Sequence, residues 1–173
     1  AAFNGVVSFV PLMLTAERGA SLPIVGVTLT VGSLGWFAGA WVQGRSRWTG
    51  RRWQLVAGGG VGLSAGLLLC VLVAATSLPW PALAAGQLLA GLGMGLATAS
   101  TGVLALELAP VSDHGAASSS LQLSDSLGSI VGLSTASAVY AALHVSPGAD
   151  RGVYVVMWSA LVMLALLVVA AGV

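Results

Sequence analysis

Asp125 is the acid that stands deepest inside an apolar stretch of this sequence, within Gln122-Leu123-Ser124-Asp125-Ser126. A carboxyl group surrounded by lipid is costly to hold, and where it occurs it usually lines a pathway. Its place, roughly ten residues into the stretch, corresponds to ~15 Å of helix rise. The chemistry open to it is proton coupling, cation binding or gating. Capping another helix, or pairing with a loop arginine, is the structural alternative. Asn4, Gln87 and Gln122 are amides in similar surroundings, and Thr98, Ser100 and Thr101 add hydroxyls. Such groups either line a cavity or hydrogen-bond across helices.

A second concentration of charge lies in the segment from Gln43 to Trp53. Arg45, Arg47, Arg51 and Arg52 there make up four of the six Lys+Arg residues of the chain. Such a cluster is costly to translocate, so it fixes which side of a membrane the loop faces. Glu107, two residues before Ala109-Pro110, suits an interfacial acid that snorkels or pairs with an arginine.

Other chemistries find no support. Cys70 is the single cysteine and has no partner at metal-ligand spacing. His114 and His144 stand near the ends of apolar runs, each without a second ligand. Ser118, Ser119 and Ser120 fall at the opposite end of one predicted helix from His144, too far for a nucleophile and its base. No Gly-x-Ser-x-Gly elbow or His-Glu-x-x-His pattern is present. No enzyme activity and no cofactor or metal is expected. The arginines form one short cluster, not a stripe interleaved with stacking aromatics, which argues against nucleic acid.

The elements that position these residues follow from composition. The 173-residue chain is 57% hydrophobic and only 6% charged, against about 25% charged in an average soluble domain. So few charges cannot cover the surface of a soluble globule, and the lipid bilayer becomes the solvent. An all-α fold with six membrane spans is predicted, at about residues 1–14, 23–42, 54–75, 82–108, 116–143 and 153–173. The first run is shorter than the ~20 residues a span needs, which suggests that its start is not captured. Six spans put both termini on one side, and the arginine loop makes that side cytoplasmic. Small residues recur at Gly35/Gly39, Gly58/Gly62/Gly66, Gly91/Gly95 and Gly128/Gly132, the spacing of packed membrane helices. The sixth span has no such seam and is expected to face lipid.

The motifs point to a family. Pro11-Leu12, Val25-Gly26-Val27-Thr28-Leu29, Leu34-Gly35-Trp36, Gly39 and Gln43-Gly44-Arg45 resemble the seventh-to-eighth helix segment of a major facilitator superfamily transporter. Arg47-Trp48-Thr49-Gly50-Arg51-Arg52 resembles that family's loop motif, Gly-x-x-x-Asp-Arg-x-Gly-Arg-Arg. Glu107 to Pro110, Gly115 to Ser118 and Leu121 to Gly128 resemble its tenth-to-eleventh helix segment. The whole chain is similar to the C-terminal six-helix half, one bundle of two inverted three-helix repeats. The nearest flavour is the actinobacterial drug:proton antiporter. Arg47 stands where the motif has aspartate and Trp48 where it has its first arginine, so the loop lacks the family's full charge relay.

What the resemblance implies is alternating-access transport of a small-molecule substrate, with protons as coupling ions and an N-terminal six-helix half as partner. It implies cavity or coupling roles for Asn4, Gln87, Gln122 and Asp125. Gly44, Arg45, Arg47, Gly50, Arg51 and Arg52 would turn and anchor the cytoplasmic loop. The third and sixth spans would be peripheral. The competing expectation is a truncated or non-transporting six-span membrane protein.

Overall fold

A computed structural model describes residues 2–45, 52–146 and 149–171. Most of these residues are helical and none lies in a strand, as the composition predicts. Helix α1 runs Ala2–Leu12 and continues into a π-helical turn, Met13–Glu17. Then follow α2 (Leu22–Gln43), α3 (Arg52–Ala75), α4 (Trp80–Leu108), a 3-10 turn (Val111–Asp113), α5 (His114–Leu143) and α6 (Arg151–Ala171). Helices α2 to α5 are long and apolar enough to cross a membrane, while α1 with its π turn and α6 are shorter apolar helices.

Prolines punctuate the helices where their missing N–H does least harm. Pro23 and Pro81 lie in the first turns of α2 and α4, and Ala109-Pro110 ends α4. Pro11 is different, because it sits inside α1. There it removes one backbone donor, and Thr15 Oγ1 donates to the Pro11 carbonyl at 2.9 Å. The following turn widens to a π turn. Gly19, at φ 58°, then closes the helix, and the Ala20 N–H reaches back to the Leu14 carbonyl at 2.9 Å. A left-handed residue there suits glycine.

Two ends can be told apart by contacts. Arg18, Thr76, Leu78 and Asp150 gather at one, here called the far end. Arg52 and Glu107 meet at the other, the arginine end.

The centre is α4, which packs along its length between α2 and α3. Glycine makes this approach possible on both sides. A Cβ added to Gly35 or Gly39 would overlap the carbonyl oxygen of Leu88 or Leu92. One added to Gly91 or Gly95 would overlap that of Gly32 or Trp36. On the other side, a Cβ on Gly59 would come 2.6 Å from the Gly93 oxygen, and one on Gly66 2.6 Å from the Gly86 oxygen.

The seam on α3 is therefore Gly59 with Gly66, rather than the expected Gly58/Gly62/Gly66. Gly58 has nothing within 4 Å of its added Cβ, and Gly62 makes only an ordinary 3.5 Å contact. Helical geometry explains the shift. Residues seven apart differ by only about 20° around the axis, whereas an i, i+8 pair drifts by about 80°.

Helix α6 also departs from expectation. One of its faces is exposed to the surroundings, through Met163, Leu164, Leu166 and Leu167. The opposite face buries Tyr154, Met157 and Trp158 in a core shared with Val6, Val10 and Met13 of α1 and its π turn and with Leu67, Cys70 and Val71 of α3, the helix it packs against most. Bulky side chains interdigitating to interior density do there what small residues do around α4. Helix α5 is the least enclosed of the long helices, with only Gly132 and Ala136 buried.

Candidate functional site

Because α5 is so little enclosed, its polar residues stay accessible. A cleft of about 520 Å³ runs between α4 and α5, lined by Thr98, Thr101, Ser118, Gln122, Ser124 and Asp125 together with apolar neighbours. Asp125 lies eleven residues past the first residue of α5, so ~17 Å along a helix of ~45 Å. Were the helix centred on a ~30 Å hydrocarbon layer, the carboxyl would lie several ångströms inside it. Asp125 is exposed and has no hydrogen bond or ion pair among the described residues. The cleft thus offers one acid, one amide and a row of hydroxyls, a set suited to a proton or a polar, cationic group.

The structure separates the other amides. Asn4 Nδ2 donates to Ser129 Oγ of α5 at 2.9 Å, which ties α1 to α5 one helical turn beyond Asp125. Gln122 shares the Asp125 cleft. Gln87 is not on a cleft at all: it is fully buried inside the α2–α3–α4 block. Its Nε2 donates to Cys70 Sγ at 3.6 Å, and its side chain lies against Gly32. The glycine that admits α2 leaves a pocket that this amide fills. Its Oε1 has no partner among the described residues.

At the arginine end, Gly44 caps α2 through its N–H to Ala40 O at 3.2 Å. The Arg45 guanidinium stacks 4.0 Å over the centre of the Trp41 ring. Arg52 Nε pairs with Glu107 Oε1 at 3.0 Å, joining α3 to α4. Arg47, Gly50 and Arg51 lie outside the described residues.

Sequence reasoning passed over the far end, which holds the densest polar cluster. Asp150 is fully buried and precedes α6, whose Val153 and Tyr154 N–H groups bond to its carbonyl. Its carboxylate accepts from the Val145 N–H at 3.0 Å, from His144 Nδ1 at 2.5 Å and from Tyr140 Oη at 3.2 Å. The Val145 N–H, and after it His144 and Tyr140, hold this carboxyl below the usual range against the opposing effect of burial. Its own N–H donates to Glu17 Oε1 at 3.1 Å. Beneath the cluster, aromatic rings run from Phe9 through Tyr140 and Tyr154 to Trp158, neighbours 5.5–5.7 Å apart.

Arg18, next to Glu17, turns the other way. Its guanidinium donates to the carbonyls of Val73, Thr76 (2.6 Å) and Leu78 (3.0 Å). Consecutive residues thus place an acid at the N-terminus of α6 and a cation at the C-terminus of α3. Both signs complement the helix dipoles. A sequence signal existed: Tyr140 and His144 stand four apart on one helical face. The acids they meet are distant in sequence or beyond a loop.

The family model of the Major Facilitator Superfamily matches residues 1–173. The chain belongs to the major facilitator superfamily. Comparisons with the curated proteins and with the solved structures returned no match.

Members of the superfamily are transporters rather than enzymes. Membership makes this a chain of the multi-pass membrane transport class.

Proposed function

We propose that this chain forms six membrane spans and is the C-terminal half of a superfamily transporter that exports a drug or small metabolite on the proton gradient. The observation that carries this reading is the α4–α5 cleft, which gathers Asp125, Gln122 and several hydroxyls between two long apolar helices. A second six-helix bundle packing across α5 would complete the cavity, and rocking of the two bundles would open it alternately to each side. Helix α6, with 21 residues, reaches ~31 Å, enough for a span.

The arginine end is cytoplasmic in this reading, with both termini on that side of the plasma membrane. Trp41 and Trp53 at the arginine end and Trp80 at the far end are all exposed, consistent with aromatic belts at two interfaces. Asp125 serves as the coupling acid, and Gln122 orients substrate beside it. Asn4 sets the α1–α5 spacing. Gln87 is a packing residue of the block. Arg45, Arg47, Arg51 and Arg52 anchor the loop to the anionic inner leaflet and restrain the cytoplasmic gate.

The test is proton-driven efflux of a substrate panel by the intact transporter carrying Asp125→Asn. Transport should fall at least about tenfold, as expected when a charged group in the pathway is neutralised, while Asp125→Glu retains part of it. Unchanged proton-driven efflux in Asp125→Asn removes Asp125 from the coupling role.

A further inference from the structure

A second cavity, separate from the transport cleft, opens at the far end. It holds about 460 Å³, a size ordinary for a small-ligand site. Met13 and Leu14 of the π turn, Ile24 of α2, Val73 of α3, and Leu78 and Trp80 at the entry to α4 form its apolar wall. Arg18 and Ser21 supply its polar groups, and no acid among the described residues lines it. We propose that this cavity binds the phosphate head of an anionic membrane lipid, with Arg18 on the phosphate and the start of an acyl chain along the apolar wall.

The charge around the cavity selects an anion. Arg18 donates to the carbonyls of Val73, Thr76 and Leu78, neutral groups that satisfy those donors without cancelling the charge. Two N–H remain on the guanidinium. One is at Nη1; the other is the Nε–H, which is buried and has no partner among the described residues. Burial, and after it the charge of Arg151, hold this guanidinium below its ordinary value, and a bound anion acts in the opposite sense. Glu17, next in sequence, accepts from the Asp150 N–H and does not line the cavity. Helices α2 and α4 both begin here, and neither first turn carries a side-chain cap. Their positive dipole ends therefore stand open beside the guanidinium. The Ser21 hydroxyl sits at one of these ends and on the cavity wall.

The apolar wall selects a lipid over a free anion. Inorganic phosphate would leave that wall unfilled, whereas a lipid brings apolar surface with its charge. Leu78 and Trp80 are exposed at the rim. The cavity also lies where α2 and α4, each long and apolar enough to cross a membrane, begin. Basic pockets between membrane helices hold lipid head groups by the same physics.

Native mass spectrometry of the intact transporter, released from detergent with ligand added, tests this. Dioleoyl phosphatidylglycerol is the probe. Dioleoylglycerol offers the same chains without the phosphate, and inorganic phosphate offers the anion without the chains. One phosphatidylglycerol should bind at least about tenfold more tightly than either, the span of one charge-assisted hydrogen bond. Arg18→Gln should remove that preference, and Arg18→Lys, which keeps the charge, should restore most of it. Ile24→Trp leaves Arg18 and its carbonyl bonds in place but fills the cavity, and should weaken binding by a similar factor. Neither variant touches the arginine end, so the difference reports the far end, whatever the transport activity. Phosphatidylglycerol binding that is unchanged in either Arg18→Gln or Ile24→Trp overturns the proposal. So does dioleoylglycerol or inorganic phosphate binding as tightly as the phospholipid.

Discussion

The α2–α3–α4 block and helix α5 show two ways of building a membrane helix into one bundle. In the block, backbones touch through glycine, and even a methyl group has no room at Gly35, Gly39, Gly91 or Gly95. Helix α5 is joined to its neighbours by a few side-chain contacts, Asn4–Ser129 and the Tyr140/His144–Asp150 cluster among them. The first arrangement fixes geometry. The second leaves a polar face of the helix accessible. The two arrangements meet along the α4–α5 cleft, the site proposed for transport.

The sharpest way to break this contrast is to fill the block. Gly35→Leu should cost about 3 kcal/mol or more, since overpacking against backbone has no flexible neighbour to absorb it. Thermal unfolding in detergent would show this as a large loss of stability. The neighbouring pair Gly59→Ala and Gly58→Ala refines the point. The first should destabilise, and the second should be neutral or stabilise by up to about 1 kcal/mol through helix propensity.

Arg18→Ala comes next. It removes a charged donor from three carbonyls and should cost about 2 kcal/mol, read by the same melt. Acid stability follows. The folded-state pKa of Asp150 is depressed, so its contribution is complete above the ordinary carboxylate value of about 3.9. It is lost as pH falls below that value, through the folded-state pKa. Asp150→Asn should flatten this acid limb of the stability–pH curve, and an unchanged limb would assign it to other carboxylates. The smallest effect belongs to Arg52→Ala, whose partner Glu107 is about half exposed. Its cost should stay within about 1 kcal/mol.

The contrast between regions also explains what could be read in the sequence. Helix positions were legible, because prolines and apolar runs mark them locally. The glycine seams were legible on α2 and α4. On α3, several glycines competed, and only the partner backbone selects Gly59 over Gly58. Asp125 stood out because charge in an apolar run is rare. Gln87 looked the same by composition, yet packing turned it inward against Cys70 and Gly32. The Glu17–Asp150 contact joins opposite ends of the chain, and no local pattern announces it. Burial on α6 was hidden for a related reason: its large side chains look identical facing lipid or facing α1 and α3.

Glu17 and Arg18 share one peptide bond but grip different helices, α6 on one side and α3 on the other. In mechanical terms they form a two-input gate. A twist of α1 at its π turn cannot free one grip without straining the other, so the far end should let go in a single cooperative step. Swapping the two residues, Glu17→Arg with Arg18→Glu, would set each charge against the wrong dipole and convert that latch into a spring.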